Sequence, residues 1–141
     1  MDTSVSLEEP VRRLAVVLHR DLEAGQACNA AAIVIGGLRC DAFAAPVNDA
    51  DGHPHAAIRW NMPILKARNA SQLRRLLATA RQEGVQAVAF TEVGQEFSNN
   101  VGSYADHIRG HEIEALPVVA VGLFGDHAKI RELTKSFSVF R

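Results

Sequence analysis

Apolar positions along the chain follow two periods, and each period predicts its own kind of element. Leu14-Ala15-Val16-Val17-Leu18 is an unbroken aliphatic run that ends in the polar hinge His19-Arg20-Asp21, the pattern of a strand covered on both faces. Ala30-Ala31-Ala32-Ile33-Val34-Ile35 then predicts a helix that is apolar nearly all round and therefore sandwiched. Asp21 or Asn29 is placed to cap its start, and the Gly36-Gly37 pair predicts its end in a left-handed turn, unless one Gly serves close backbone packing instead. On this reading Ile33 is central, and Ile33→Ala costs about 2–5 kcal/mol.

From Cys40 to Trp60 the chain reads as a surface hairpin turning at Asp51-Gly52, with Pro46 and Pro54 confining its strands to an edge. Met62 to Ala67 predicts the next sheet strand. Leu73, Leu76, Leu77 and Ala80 recur at helical spacing, so a helix is predicted over 70–83, with Asn69 as N-cap, Gln72 three residues on and Gly84 as the stop. Val85 to Thr91 is a third strand. A polar connection over 92–116, with a short helix over 104–109, leads to a fourth strand, Val118 to Phe124. Asp126 caps a short helix with Ile130 and Leu133 facing inward, and Phe137 to Phe140 alternates as a half-exposed final strand. The sum is an α/β fold: a three-layer α/β/α sandwich on a mostly parallel sheet.

Composition narrows the function classes. At 141 residues the chain fits one domain over 11–141 behind a polar N-terminal lead-in, residues 1–10. A net charge of −1 is not that of a strongly basic nucleic-acid binder, but it hides an asymmetry: Arg59, Lys66, Arg68, Arg74, Arg75 and Arg81 fall within 52–82, where there is no Asp or Glu. That stretch is either a solvated helix face beside an edge hairpin or a local patch for RNA or a nucleotide-bearing ligand, where Arg59-Trp60 adds stacking. Cys28 and Cys40 lack the Cys-x-x-Cys spacing and no secretory signal precedes them, so reduced thiols and a cytoplasmic protein are expected. No apolar run approaches the ~20 residues of a membrane span.

In open α/β sheets, sites form at the carboxyl ends of strands. Those ends carry His19, Arg20 and Asp21 after the first strand and Thr91 and Glu92 after the third, while Cys28 and Asn29 fall near the amino end of the first helix. Glu92, Cys28 and His19 are the catalytic candidates: His19 and Glu92 converge on Cys28 to make a nucleophile, base and orienter, or Glu92 is the general base with amides at the first helix's amino end stabilising an oxyanion. Arg20, Asp21, Asn29 and Thr91 are the ligand-binding candidates. For each a structural role stands beside the chemical one: Cys28 as a small residue among alanines, Glu92 as a loop cap, Arg20 and Asp21 as an ion pair. His53-x-His55 and the His107, His111 pair lack a third ligand at characteristic spacing, so neither metal nor cofactor is expected.

Arg20-Asp21-Leu22-Glu23, Asn29-Ala30-Ala31-Ala32, Phe90-Thr91-Glu92 and Leu133-Thr134-Lys135-Ser136-Phe137-Ser138 resemble, in this order, segments of a bacterial family known as domain of unknown function number two thousand. That family is similar in turn to the type II peptidyl-tRNA hydrolases, which cleave the ester joining peptide to tRNA. The resemblance implies their fold, a mixed sheet of about four main strands between helical layers, with a homodimer, an unidentified small-molecule or acylated-nucleotide ligand, and tRNA itself as an alternative ligand. It also departs from them. Where the hydrolases carry Gly-Lys-x-Ala-Ala-Gln the lysine falls on Cys28, the glutamine on Ala32 and a later histidine on Gly36; their Asp-Ala-Gly-x-Thr falls on Glu92-Val93-Gly94-Gln95-Glu96. The implied activity is therefore hydrolysis of an ester or amide, with a non-catalytic ligand-, RNA- or protein-binding module that has lost the lysine as the alternative.

Overall fold

The computed structural model describes residues 11–97 and 99–141, and the expected lead-in lies outside the described residues. A five-stranded sheet with the order β5-β6-β1-β4-β7 forms from β1 (Arg12–His19), β4 (Ile64–Ala67), β5 (Gln86–Thr91), β6 (Val118–Asp126) and β7 (Ser138–Val139). Strands β2 (Phe43–Asn48) and β3 (Pro54–Ile58) make a separate hairpin. The helices are α1 (Ala24–Gly37), α2 (Ala70–Gln82), α3 (Val101–Arg109) and α4 (His127–Thr134).

Alternation along β1 sorts the core into two faces. Ala15 and Val17 pack with Leu73, Leu76 and Ala80 of α2 and Ile130 of α4, whereas Val16 and Leu18 pack with Ala27, Ala30 and Val34 of α1. Both faces of β1 are covered, as its continuous aliphatic run requires. Gly122 of β6 lets α1 approach: a Cβ there would lie 3.1 Å from Leu38 Cδ1 and 3.2 Å from Val34 Cβ.

The sheet is mixed, but it is not mostly parallel. Only β1 and β4 run parallel; β1 with β6, β5 with β6, and β4 with β7 are antiparallel. The cause is the connection over 92–116. Its 3-10 turns (Glu92–Gln95 and Ile113–Ala115) and α3 do not cross the sheet, so the chain re-enters where β5 left it and β6 runs back between β5 and β1. An apolar strand carries no mark of the direction in which its neighbours run.

Helix α1 also departs from the expectation. It begins at Ala24 after Glu23, whose backbone N–H donates to Gln26 Oε1 at 3.2 Å, rather than at a cap supplied by Asp21 or Asn29. Gly36 and Gly37 are not in the left-handed region; the helix stops where Leu38 turns extended at φ −84°, ψ 142° to enter a small cluster with Leu14, Ala42 and Phe124. Its outer face is bare. Cys28, Asn29, Ala32 and Gly36 are exposed, and Ile33 is 44% exposed while Val34 is 2% exposed, so Val34 is the core anchor and the central role expected of Ile33 is not its own.

The remaining elements match their local signals closely. Asn69 Oδ1 accepts from Gln72 N–H at 2.9 Å, Gln72 Oε1 accepts from Arg68 N–H at 2.8 Å, and Gly84 takes φ +69° after α2. Asp126 Oδ2 accepts from Lys129 N–H at 3.1 Å at the start of α4. The short helix in the long connection starts earlier than expected, at Val101, where Asn100 Oδ1 accepts from Ser103 N–H. In the hairpin the register shifts between Ala44 and Val47, beside Pro46, and Gly52 takes φ +88° in the turn.

Candidate functional site

The carboxyl ends of β1 and β5 lie on the same edge of the sheet because both strands run antiparallel to β6. They are two strand spacings apart, about 10 Å, rather than side by side, and the first residues of β6 fill the interval. Glu92 N–H donates to the Pro117 carbonyl at 3.0 Å, which fixes the base of the Glu92 side chain against the start of β6. On the other side Arg20 N–H donates to the Ala67 carbonyl at 2.9 Å, joining the β1 tip to the end of β4.

Between these tips is a crevice of about 220 Å³ bordered by His19, Asp21, Gln26, Glu92, Pro117 and Val118. The strand-end candidates His19, Asp21 and Glu92 thus share one cleft, with Gln26 of the first turn of α1 and Ala70 of α2 closing its sides. His19 is half-buried and its Nδ1 accepts a hydrogen bond from Asp21 N–H at 3.1 Å. That bond holds the neutral imidazole in the tautomer with its proton on Nε2, so the ring is a donor through Nε2. Thr91, paired with Val118 in the sheet, is buried and its hydroxyl has no hydrogen-bond partner among the described residues.

The other candidates go elsewhere. Arg20 Nε and Asp21 Oδ1 form an exposed ion pair at 3.7 Å, and Arg20 borders a second, larger cleft on the α2 and α4 side. Asn29 borders a third cleft, of about 710 Å³, with Ile33, Phe90, Gly94, Phe97 and Tyr104. Gly94 is required there, since a Cβ would lie 2.3 Å from the Phe90 ring. Cys28 borders none of the three clefts. It is the fifth residue of α1, past the first-turn amides, and at 3.6 residues per turn it points about 200° away from Gln26. Both cysteines are free thiols.

The histidine pairs serve local structure. Asp49, Asp51 and His53 bring ligand-type atoms within 4.8 Å of one another, all exposed. The Asp49 oxygens are already engaged, however, by the backbone N–H groups of Asp51 and His53 and by His55 Nε2 at 2.8 Å. The hydrogen bond from His55, with the backbone bonds from His53 and Asp51, holds the Asp49 carboxyl below its ordinary value of 3.8. His107 and His111 stack with ring centroids 4.4 Å apart, and His111 Nδ1 lies 2.7 Å from the His107 carbonyl.

A mixed five-stranded sheet with helices on both faces and a crevice among strand ends defines an α/β protein. The chain belongs to the family described as Protein of unknown function (DUF2000), whose model matches residues 12–141. Among solved structures, that of the protein of unknown function Atu0240 from Agrobacterium tumefaciens strain C58 is similar at a TM-score of 0.81 and 16% identity, covering 92% of this chain and 98% of that one. At that identity the likeness is one of fold. No curated protein matches the chain. No helix among the described residues is long and apolar enough to cross a membrane.

Proposed function

We propose that the crevice between the tips of β1 and β5 binds an acylated small molecule or acylated nucleotide end and hydrolyses its ester or amide bond. The observation that carries this reading is that Glu92, remote in sequence from His19 and Asp21, borders one cleft with them. In the proposed reaction the Glu92 carboxylate takes a proton from water as the oxygen attacks the acyl carbon. Charge develops on the carbonyl oxygen, where the His19 Nε2–H donates a hydrogen bond. The carbon–oxygen or carbon–nitrogen bond then breaks, and the proton held by Glu92 passes to the leaving group. Asp21, through its backbone N–H, keeps His19 in the donating tautomer.

The family's fold-level resemblance to type II peptidyl-tRNA hydrolases is the ground for this reaction class, for a sandwich of their type and for a cytoplasmic homodimer, and it carries over no hydrolase lysine. The exposed apolar side chains Ile33, Phe43, Val47 and Ile58 are compatible with a symmetric contact. Light scattering at working concentration is expected to give twice the monomer mass; the monomer mass removes the dimer.

One observation favours a second reading, a binding module without catalysis. Among the described residues no Lys or Arg borders the crevice, and Cys28, where the hydrolases' lysine falls, lies outside it. A panel of activated esters, aminoacyl-tRNA and peptidyl-tRNA assayed with wild type and Glu92→Gln separates the two. Turnover abolished by Glu92→Gln supports the hydrolase, and absence of turnover on the whole panel supports the module.

A further inference from the structure

The six cations of 52–82 do not act as one patch. Arg74 turns inward, where its Nε and Nη2 donate to the Ile113 and Leu116 carbonyls at 3.1 and 2.7 Å and tie down the segment before β6. Arg59 stacks over Trp60 at 5.3 Å and faces Asp41 at 3.8 Å. Lys66, Arg68 and Arg75, however, come together with Arg20 around a cleft of about 790 Å³ between β4, α2 and the segment from α4 into β7.

We propose that this cleft is a binding site for a small phosphate-bearing ligand with a ring system, of the nucleotide class. Four cations border it against two carboxylates, Glu83 and Glu132, and the latter is already paired with Lys135. Lys66, Arg68 and Arg75 have no ion-pair partner among the described residues, and Lys66 is half-buried, so their donors are uncommitted to any carboxylate of the protein. A bound anion pairs with them. The polar lining offers donors: Ser136 and Ser138 carry hydroxyls, and Gln72, whose Oε1 is occupied by Arg68 N–H, keeps its amide NH2 to give. Leu76, Leu133 and Phe137 supply an apolar wall for a ring. The volume is that of a small-molecule site. A bounded cleft of this size favours a compact ligand over a phosphodiester strand.

The site is independent of the hydrolytic reading of the crevice, and its test reads binding rather than turnover. The probe is N-methylanthraniloyl-ADP, titrated by fluorescence at low salt against the full chain, with ADP, inorganic pyrophosphate and a short single-stranded RNA as competitors. Saturable binding tighter than about 1 mM is expected, displaced by ADP and by pyrophosphate. Lys66→Gln and Arg75→Gln are each expected to weaken it about tenfold, the loss of a charge-assisted contact. Arg81→Gln, on the same helix but outside the cleft, should leave it within about twofold. Retained thermal unfolding of each variant excludes loss of fold. Absence of saturable binding, equal weakening by all three substitutions, or binding of RNA without binding of the nucleotide overturns the proposal.

Discussion

Residues 33 and 34 are neighbours in one helix with opposite environments, and truncating each in turn tests how α1 sits on the sheet. Val34 is 2% exposed and packs with Val16, Leu18, Phe90 and Ala120. Val34→Ala removes two carbon groups from a closed site. At about 0.8 kcal/mol per buried group this is roughly 1.6 kcal/mol of transfer energy, and a residual cavity brings the cost to about 2–3 kcal/mol. Ile33 is 44% exposed, so Ile33→Ala loses about half of the roughly 2.4 kcal/mol that its three groups are worth when buried, and the better helix propensity of Ala returns a few tenths. The net cost is under about 1 kcal/mol. Urea unfolding followed by far-UV circular dichroism gives both values if the slope is unchanged between variants. Ile33→Ala costing as much as Val34→Ala would mean that α1 is rotated or covered in solution, and the present packing of the helix would be refuted.

Other consequences are as direct. Asn69→Ala removes the α2 cap and is expected to cost about 1 kcal/mol in the same unfolding assay. Gly84→Ala forces φ +69° on a side-chain-bearing residue although the space around it is open, so a loss of about 1 kcal/mol with an unchanged fold is expected. Arg74→Ala leaves the Ile113 and Leu116 carbonyls without their donors; hydrogen exchange should speed up across 111–118 and not in α1. For Asp49 the folded value is depressed, so its contribution to the hairpin is present above 3.8 and is lost as pH falls through the lower folded value. Amide shifts of Asp51 and His53 followed by NMR should therefore titrate below pH 3.8, and His55→Ala should move that midpoint upward.

Elements with several agreeing local signals were legible from sequence. α2 combines a helical apolar period with Asn69 before it and Gly84 after it, and each feature acts in the structure as its chemistry requires. α1 lacks such contrast, since runs of Ala and Gly do not distinguish a buried face from a bare one, and its start rests on the less usual cap Glu23. Strand direction was hidden for a different reason: β6 is apolar on both faces whichever way it runs, and only the return of the connection over 92–116 decides it. The crevice was partly legible because His19, Asp21 and Glu92 follow strands, but the insertion of β6 between their tips was not. The basic cleft was partly legible, since Lys66, Arg68 and Arg75 fall in the acid-free stretch 52–82, but Arg20 and Ser138 come from other segments and only the fold separates Arg75 from its inward-turned neighbour Arg74.

The central claim is that Glu92, and not Cys28, is the group on which chemistry in the crevice depends. Initial rates on the best activated ester, measured side by side for wild type, Glu92→Gln and Cys28→Ser, test it most directly. The account predicts a fall of about 10²- to 10⁴-fold for Glu92→Gln and an unchanged rate for Cys28→Ser. A rate that survives Glu92→Gln and is lost in Cys28→Ser would contradict it.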